Sequence, residues 1–259
     1  MRHTLSRHPA SGEILYYAVW SPDGQRLAAG RRRNGRGELF WQNADGSGPG
    51  HVLYSSDALL MPGSWSADGR HLAFTVDEQD IWVVDPDDAT PKPRALIATH
   101  AIEDQAEFSP DGRWLAYVSD DSGGEQVYVQ PFPGPGPRKQ MSVDGGTAPA
   151  WNPTGRELFY ATPREPARDR HMMMVVDVKT TPELSLGTPR PLFEINRPGV
   201  TGPNIRCQPV RCYDVMPNGQ QFLAIQLPPG GPVLPPPVTH INLVQNWFEE
   251  LRTKVPLGR

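Results

Sequence analysis

Trp20-Ser-Pro-Asp-Gly24-Gln-Arg-Leu-Ala-Ala opens a pattern that the chain repeats four more times. It returns as Trp65-Ser-Ala-Asp-Gly69-Arg-His-Leu-Ala-Phe, Phe108-Ser-Pro-Asp-Gly112-Arg-Trp-Leu-Ala-Tyr, Trp151-Asn-Pro-Thr-Gly155-Arg-Glu-Leu-Phe-Tyr and Val215-Met-Pro-Asn-Gly219-Gln-Gln-Phe-Leu-Ala. The five glycines are 45, 43, 43 and 64 residues apart. A period near 40–45 residues with strand chemistry in every unit is what propeller blades require. In each unit an aromatic or apolar anchor ends one strand. Proline then presets φ, aspartate or asparagine bonds its own backbone, and glycine takes the φ > 0 position of a tight turn.

A second strand follows each turn, and short alternating runs bounded by turn formers supply the others. Asp80–Asp85, Gln126–Gln130 and Met173–Val178 read as third strands, and Pro93–Ile97, Lys139–Val143 and Pro189–Phe193 as fourth strands. The pattern predicts an all-β protein, a β-propeller of about five four-stranded blades forming one domain over 1–259. Six blades are expected if one is missing or degenerate. The longer last interval is assigned to an extended hairpin over 162–170 and a loop over 196–209, neither with enough strand signal for a hidden blade. The proline-rich run Pro228–Pro237 reads as an extended hairpin tip.

Near the end, Ile241–Gln245 is a candidate closing strand, with the run His3–Arg7 as its outer partner. Residues 246–255 are expected to form a short helix: Asn246 and Glu249 make a capping box, Trp247, Phe248 and Leu251 share a face, and Pro256 stops it.

Composition narrows the function classes. Lys+Arg 25 against Asp+Glu 29 gives a net charge of −4, so no basic field draws the chain to nucleic acid. Glycine (25) and proline (30) make about a fifth of the 259 residues, below the roughly 25–30 % typical of low-complexity disorder. No apolar run reaches the roughly 18 residues of a membrane span, and no secretory signal is visible. The seven histidines stand singly, and neither a His-Glu-x-x-His nor a Gly-x-Ser-x-Gly motif occurs. No cofactor or metal is expected. Asp23, Asp68 and Asp111 belong to the repeated turns, which gives them structural work. Asp120-Asp121-Ser-Gly-Gly124 reads as an acidic hairpin turn, with weak calcium binding as the functional alternative. Arg31-Arg-Arg-Asn-Gly-Arg36 reads as a charged hairpin tip, the alternative being contact with an acidic partner or a lipid headgroup. Cys207 and Cys212 are five apart in a proline-rich loop, which leaves a local disulfide and two free thiols both open.

The Trp-Ser-Pro-Asp-Gly-Arg-x-Leu-Ala-Phe/Tyr repeat resembles the TolB-type WD-like propeller repeat. The stretch from Phe108 to Gly123 and on through Val127–Gly134, with Asp144–Thr147, Gly155–Tyr160 and Asn246–Leu251, is similar to the C-terminal propeller of bacterial membrane-linked serine/threonine protein kinases. That resemblance implies a sensor or protein-interaction module, either a stand-alone propeller or the detached or truncated C-terminal part of a receptor-like kinase. The compartment is not fixed by the sequence: periplasmic or extracytoplasmic for a part of a membrane kinase, otherwise cytoplasmic. The chain has no glycine-rich phosphate loop, Val-Ala-x-Lys, His-Arg-Asp or Asp-Phe-Gly, so kinase activity is not carried over.

Segments leading into the anchors differ from blade to blade while the turns after them do not, which marks a surface free to specialise. The candidate binding residues there are Tyr16, Tyr17, Met61, Glu103, Asp104, Gln105, Thr147, Arg206 and Arg211. No catalytic residue is assigned. The expected activity is binding of a protein or peptide partner without turnover. The alternative is a propeller enzyme or peptidase-accessory domain with its site in the channel mouth.

Overall fold

The structure is a computed structural model that describes residues 3–5, 13–163, 170–196, 213–224 and 241–243. The predicted helix over 246–255 and the loops holding Cys207, Cys212 and Pro228–Pro237 lie outside those residues. Strand β1 (His3–Leu5) comes first. Blade one is the antiparallel sheet β2 (Glu13–Trp20), β3 (Arg26–Arg33), β4 (Arg36–Asn43) and β5 (His51–Ser56). Blade two is β6 (Leu60–Trp65), β7 (Leu72–Val76), β8 (Asp80–Val84) and β9 (Arg94–Ile97). Blade three is β10 (Glu103–Phe108), β11 (Trp114–Ser119), β12 (Gln126–Pro131) and β13 (Lys139–Gln140).

Blade four departs from the four-strand pattern. It holds β14 (Thr147–Trp151), β15 (Glu157–Ala161), the long β16 (Arg170–Lys179), β17 (Ser185–Leu186) and β18 (Arg190–Asn196). Strand β16 spans 10 residues, so its two halves take different outer partners: β18 pairs Arg170–Val175, and β17 pairs Val178 and Lys179. Blade five shows β19 (Tyr213–Val215) and β20 (Phe222–Ala224). Finally β21 (Ile241–Leu243) pairs antiparallel with β1, His3 opposite Leu243 and Leu5 opposite Ile241. The expected meeting of the two chain ends is therefore present in these two strands.

The five repeats fold alike at their turns. Gly24, Gly69, Gly112, Gly155 and Gly219 have φ between 67° and 72°, in the left-handed region that side chains avoid. In the first three turns the serine after the anchor donates to the aspartate: Ser21 to Asp23 at 2.5 Å, Ser66 to Asp68 at 2.6 Å and Ser109 to Asp111 at 2.6 Å. Each aspartate also accepts the backbone N–H two residues on. These bonds commit one oxygen of each carboxylate to the turn, which is the structural role the turn reading assigned to them.

Packing follows from the two-residue period of a strand covered on both faces. In β11, Leu115 and Tyr117 point into the core shared with blade two, while Ala116 and Val118 point into the core shared with blade four. In β8, Ile81 and Val83 face blade three, and Trp82 and Val84 face blade one. Each fully buried Leu or Phe contributes about 1.5–3 kcal/mol. The first strands touch in succession, β2 to β6 to β10 to β14 to β19, so the sheets follow one another around an axis. The anchors Trp65, Phe108, Trp151 and Val215 are buried between blades, whereas Trp20 is 46 % exposed. No blade covers the Trp20 face among the described residues.

Candidate functional site

The first strand of every blade runs from the channel mouth toward its Pro-Asp-Gly-type turn. Antiparallel pairing sets Glu13 opposite Arg33, Leu60 opposite Val76, and Glu103 opposite Ser119. The starts of the first strands and the hairpin tips between second and third strands thus share one end, called the mouth end here. The repeated turns occupy the other.

None of the first strands in blades one to four pairs evenly. The register slips between Tyr16 and Ala18, Pro62 and Ser64, Asp104 and Glu107, and Thr147 and Ala150. Three residues before the anchor, Tyr17 (φ 46°), Gln105 (φ 56°) and Ala148 (φ 55°) adopt left-handed backbone. Such conformations are unfavourable by about 1–2 kcal/mol for a residue with a Cβ, and bulges re-aim the side chains they carry. Blade two has Pro62 at that position. Proline cannot take positive φ, and the slip falls on Gly63, where an added Cβ would lie 3.0 Å from the Ala106 carbonyl oxygen.

The bulges in blades three and four are joined by a polar seam. Gln105 is buried; its Nε2 donates to Asp104 Oδ1 at 3.1 Å, and its Oε1 accepts the Ala148 N–H at 2.6 Å. Because that backbone group can only donate, the amide orientation of Gln105 is fixed. The carbonyl of Ala148 accepts the Tyr213 hydroxyl at 2.6 Å, which extends the seam to blade five. Asp104 is likewise buried.

Blade one contributes aromatic surface instead. Tyr16 lies opposite Gly30, where an added Cβ would collide with the Tyr16 ring and the Leu60 carbonyl. Its hydroxyl donates to the Arg31 carbonyl at 3.3 Å. Tyr17 meets Tyr16 edge-on, with ring centroids 5.9 Å apart at 73°. Both phenols are half-buried, and burial raises both pKa values; the Glu78 carboxylate raises that of Tyr17 further.

The other candidates serve the scaffold or lie elsewhere. Met61 is fully buried opposite Thr75. Glu103 is fully buried and accepts the Thr99 hydroxyl at 2.5 Å and the Thr99 N–H at 3.3 Å, while its own N–H donates to the Gln79 carbonyl. It pins the loop that leads into blade three. Thr147 is partly exposed beside the Ala148 bulge. Arg206 and Arg211 lie outside the described residues. Sequence reading passed over Ala148 and Tyr213, whose roles use a backbone amide and a hydroxyl from the next blade. Asp121, one of the acidic-turn residues, is paired with Arg138 and lies 3.4 Å from His100. Among the described residues no three His, Cys, Asp or Glu side chains come together as a metal site, and no helix is long and apolar enough to cross a membrane. The mouth end offers hydrogen-bonding, aromatic and charged groups in fixed positions, an arrangement suited to recognition.

Successive antiparallel blades, each with a Pro-Asp-Gly-type turn after its first strand, define a β-propeller. The chain belongs to the TolB beta propeller domain family, which matches residues 10–191. It is 34 % identical over 150 residues to the Tol-Pal system protein TolB of Anaeromyxobacter dehalogenans, covering 56 % of this chain and 34 % of that protein. The protein TolB homolog of Chlorobium luteolum is 33 % identical over 129 residues, 49 % of this chain and 28 % of that one. The chain thus spans about a third of the length of these curated relatives. Among solved structures, TolB from Acinetobacter baumannii has a TM-score of 0.55 at 20 % identity, covering 68 % of this chain and 44 % of that chain. An oligogalacturonate lyase in complex with manganese has a TM-score of 0.61 at 15 % identity, covering 84 % and 63 %. At these identities the structural likeness shows the fold.

Proposed function

We propose that the chain is a non-catalytic propeller that binds a protein partner through its mouth end. The observation that carries the reading is the bulge at equivalent positions of the first strands. It places Tyr17, Gln105 and Ala148, three different residues, on one repeated and strained scaffold. Strain held in this way marks positions where a surface is shaped for recognition. The Anaeromyxobacter dehalogenans relative named above is a Tol-Pal system protein, and we carry over from it membership of a protein assembly. The narrower kinase-associated reading rests on the sequence resemblance alone, so the broader one is preferred.

The test is affinity capture from cells of the source organism, comparing wild type with a Tyr17→Ala, Asp104→Ala variant whose fold has been checked by circular dichroism. The variant should lose a specific partner that wild type retains. Equal capture by both proteins contradicts the assignment of the surface. Metal-dependent hydrolase or lyase turnover by wild type, lost in the variant, contradicts the absence of catalysis.

A further inference from the structure

At the mouth end of blade one, β3 and β4 meet at an Asn34-Gly35 turn with φ of 52° and 81°. Arg33 stands directly opposite Arg36 across that turn. Like charges opposite one another destabilise a hairpin. Arg31 is neutralised by Glu38 at 2.5 Å, and Arg36 lies 3.9 Å from Asp57, its one ion-pair partner among the described residues and itself 92 % exposed. Arg32 and Arg33 are exposed and make no ion pair among the described residues; alternation along β3 puts Arg32 on the face that Gly30 shares with Tyr16, and Arg33 on the opposite face.

The adjoining tip, between β7 and β8, carries the opposite sign. Asp77 and Glu78 both have left-handed backbone, φ 57° and 59°, where asparagine and glycine are the favoured residues. Asp77 has local work: it exchanges two hydrogen bonds with Leu59, at 2.8 and 3.3 Å. Glu78 is exposed, with no hydrogen bond or ion pair among the described residues. A turn with two acidic residues in this conformation gives up stability that Asn-Gly would supply.

The tyrosine pair lies between these tips. Tyr16 bonds the Arg31 backbone on one side and packs against the Leu60 carbonyl on the other, and the neighbouring Leu59 is tied to Asp77. Gly37 permits this close approach, because a Cβ there would strike the Ala58 carbonyl oxygen. The order across the surface is cation, aromatic pair, anion.

We propose that this strip docks an extended protein segment with segregated charge, its acidic end on Arg32, an apolar side chain on Tyr16 and Tyr17, and its basic end on Glu78. The inference deepens the protein-binding reading and rests on it. A uniformly acidic partner would meet Glu78, and a uniformly basic one would meet Arg32, so the strip selects for charge order as well as charge.

The probes are synthetic peptides titrated into the ¹⁵N-labelled protein and followed by amide shifts. One is Glu-Glu-Gly-Leu-Gly-Lys-Lys, one has the same residues in alternating order (Glu-Lys-Gly-Leu-Gly-Glu-Lys), and one replaces both lysines with glutamate. The segregated peptide should bind about fivefold more tightly than either control. Arg32→Glu and Glu78→Lys, made singly, should each remove that preference. The double exchange should restore it, because the peptide can bind end for end. Equal binding of the alternating peptide, no rescue by the double exchange, or preferential binding of phosphatidylglycerol vesicles overturns the inference. If charge order has no effect but Tyr17→Ala with Asp104→Ala still abolishes partner capture, this inference alone fails. If that variant captures its partner normally, the underlying reading fails with it.

Discussion

Trp151 donates its indole Nε1–H to the backbone carbonyl of Glu107, 3.2 Å away and one blade earlier. Trp65 makes the same bond to Val19 at 3.4 Å. Blade three has phenylalanine at the anchor, and there the Phe108 backbone N–H donates to Ser64 Oγ at 2.9 Å. Val19, Ser64 and Glu107 each immediately precede an anchor, so blades two, three and four are each registered on the one before by the same position. The repeat is thus a docking code as well as a turn signal.

Replacing Trp151 by phenylalanine leaves the Glu107 carbonyl without that donor and should lower unfolding free energy by about 1–3 kcal/mol. Trp20→Phe should cost less than about 0.5 kcal/mol, since Trp20 is 46 % exposed. Urea denaturation of the two variants beside wild type measures the difference. Equal losses would contradict the docking role.

The turn glycines give a backbone test. At Gly69 and Gly112 an added Cβ would meet nothing within 4 Å, yet φ is 72° and 69°. Alanine at either position should therefore destabilise by roughly 1–2 kcal/mol through conformation alone. Glu78→Gly should do the reverse, gaining about 0.5–1 kcal/mol by relieving φ 59° while removing the proposed charge. Thermal melts of these variants decide both.

Acid should weaken the fold through the turn aspartates. The Ser21 and Ser66 hydroxyls hold the Asp23 and Asp68 carboxyls below their ordinary range. At Asp111, burial pushes upward but is outweighed by Ser109 and then Arg113. A depressed folded pKa means stabilisation that is complete above the unfolded value near 3.8 and is lost as pH falls through the folded one. Urea midpoints should accordingly be level from neutral pH down to about 5 and fall below about 4. Ser109→Ala should raise the Asp111 titration, read by carbon NMR of the carboxyl.

The polar seam makes a sharper prediction for the mouth. Gln105→Glu keeps an acceptor for the Ala148 N–H but replaces the donor to Asp104 with a second buried carboxylate. It should destabilise by about 2–3 kcal/mol at neutral pH. The deficit should shrink on acidification, because protonating one of the two carboxyls removes the repulsion. A deficit independent of pH would show that the seam is not electrostatic in origin.

How much of this was legible in the sequence depends on whether a feature has its own residue type. The turns do: Pro-Asp-Gly and its variants fall at every first hairpin, and the residues before them end β2, β6, β10, β14 and β19. The bulges do not. Tyr17, Gln105 and Ala148 share only their distance from an anchor, and Gly63 was the one composition signal of an irregular strand. Burial of Met61 and Glu103 was hidden for a related reason. A residue leading into a first strand looks like loop, yet here the preceding blade and the Thr99 loop cover it. The double partner of β16 was also invisible, since the outer strand read at 189–193 accounts for only half of its edge.

Hydrogen-exchange mass spectrometry of the chain with and without its captured partner tests the central claim most directly. Protection should concentrate at the mouth end, in peptides spanning 14–18, 58–62, 103–106 and 146–149, and the turns at 21–24, 66–69 and 109–112 should exchange as in the free protein. Protection of those turns, with the bulged strands unchanged, would contradict the account.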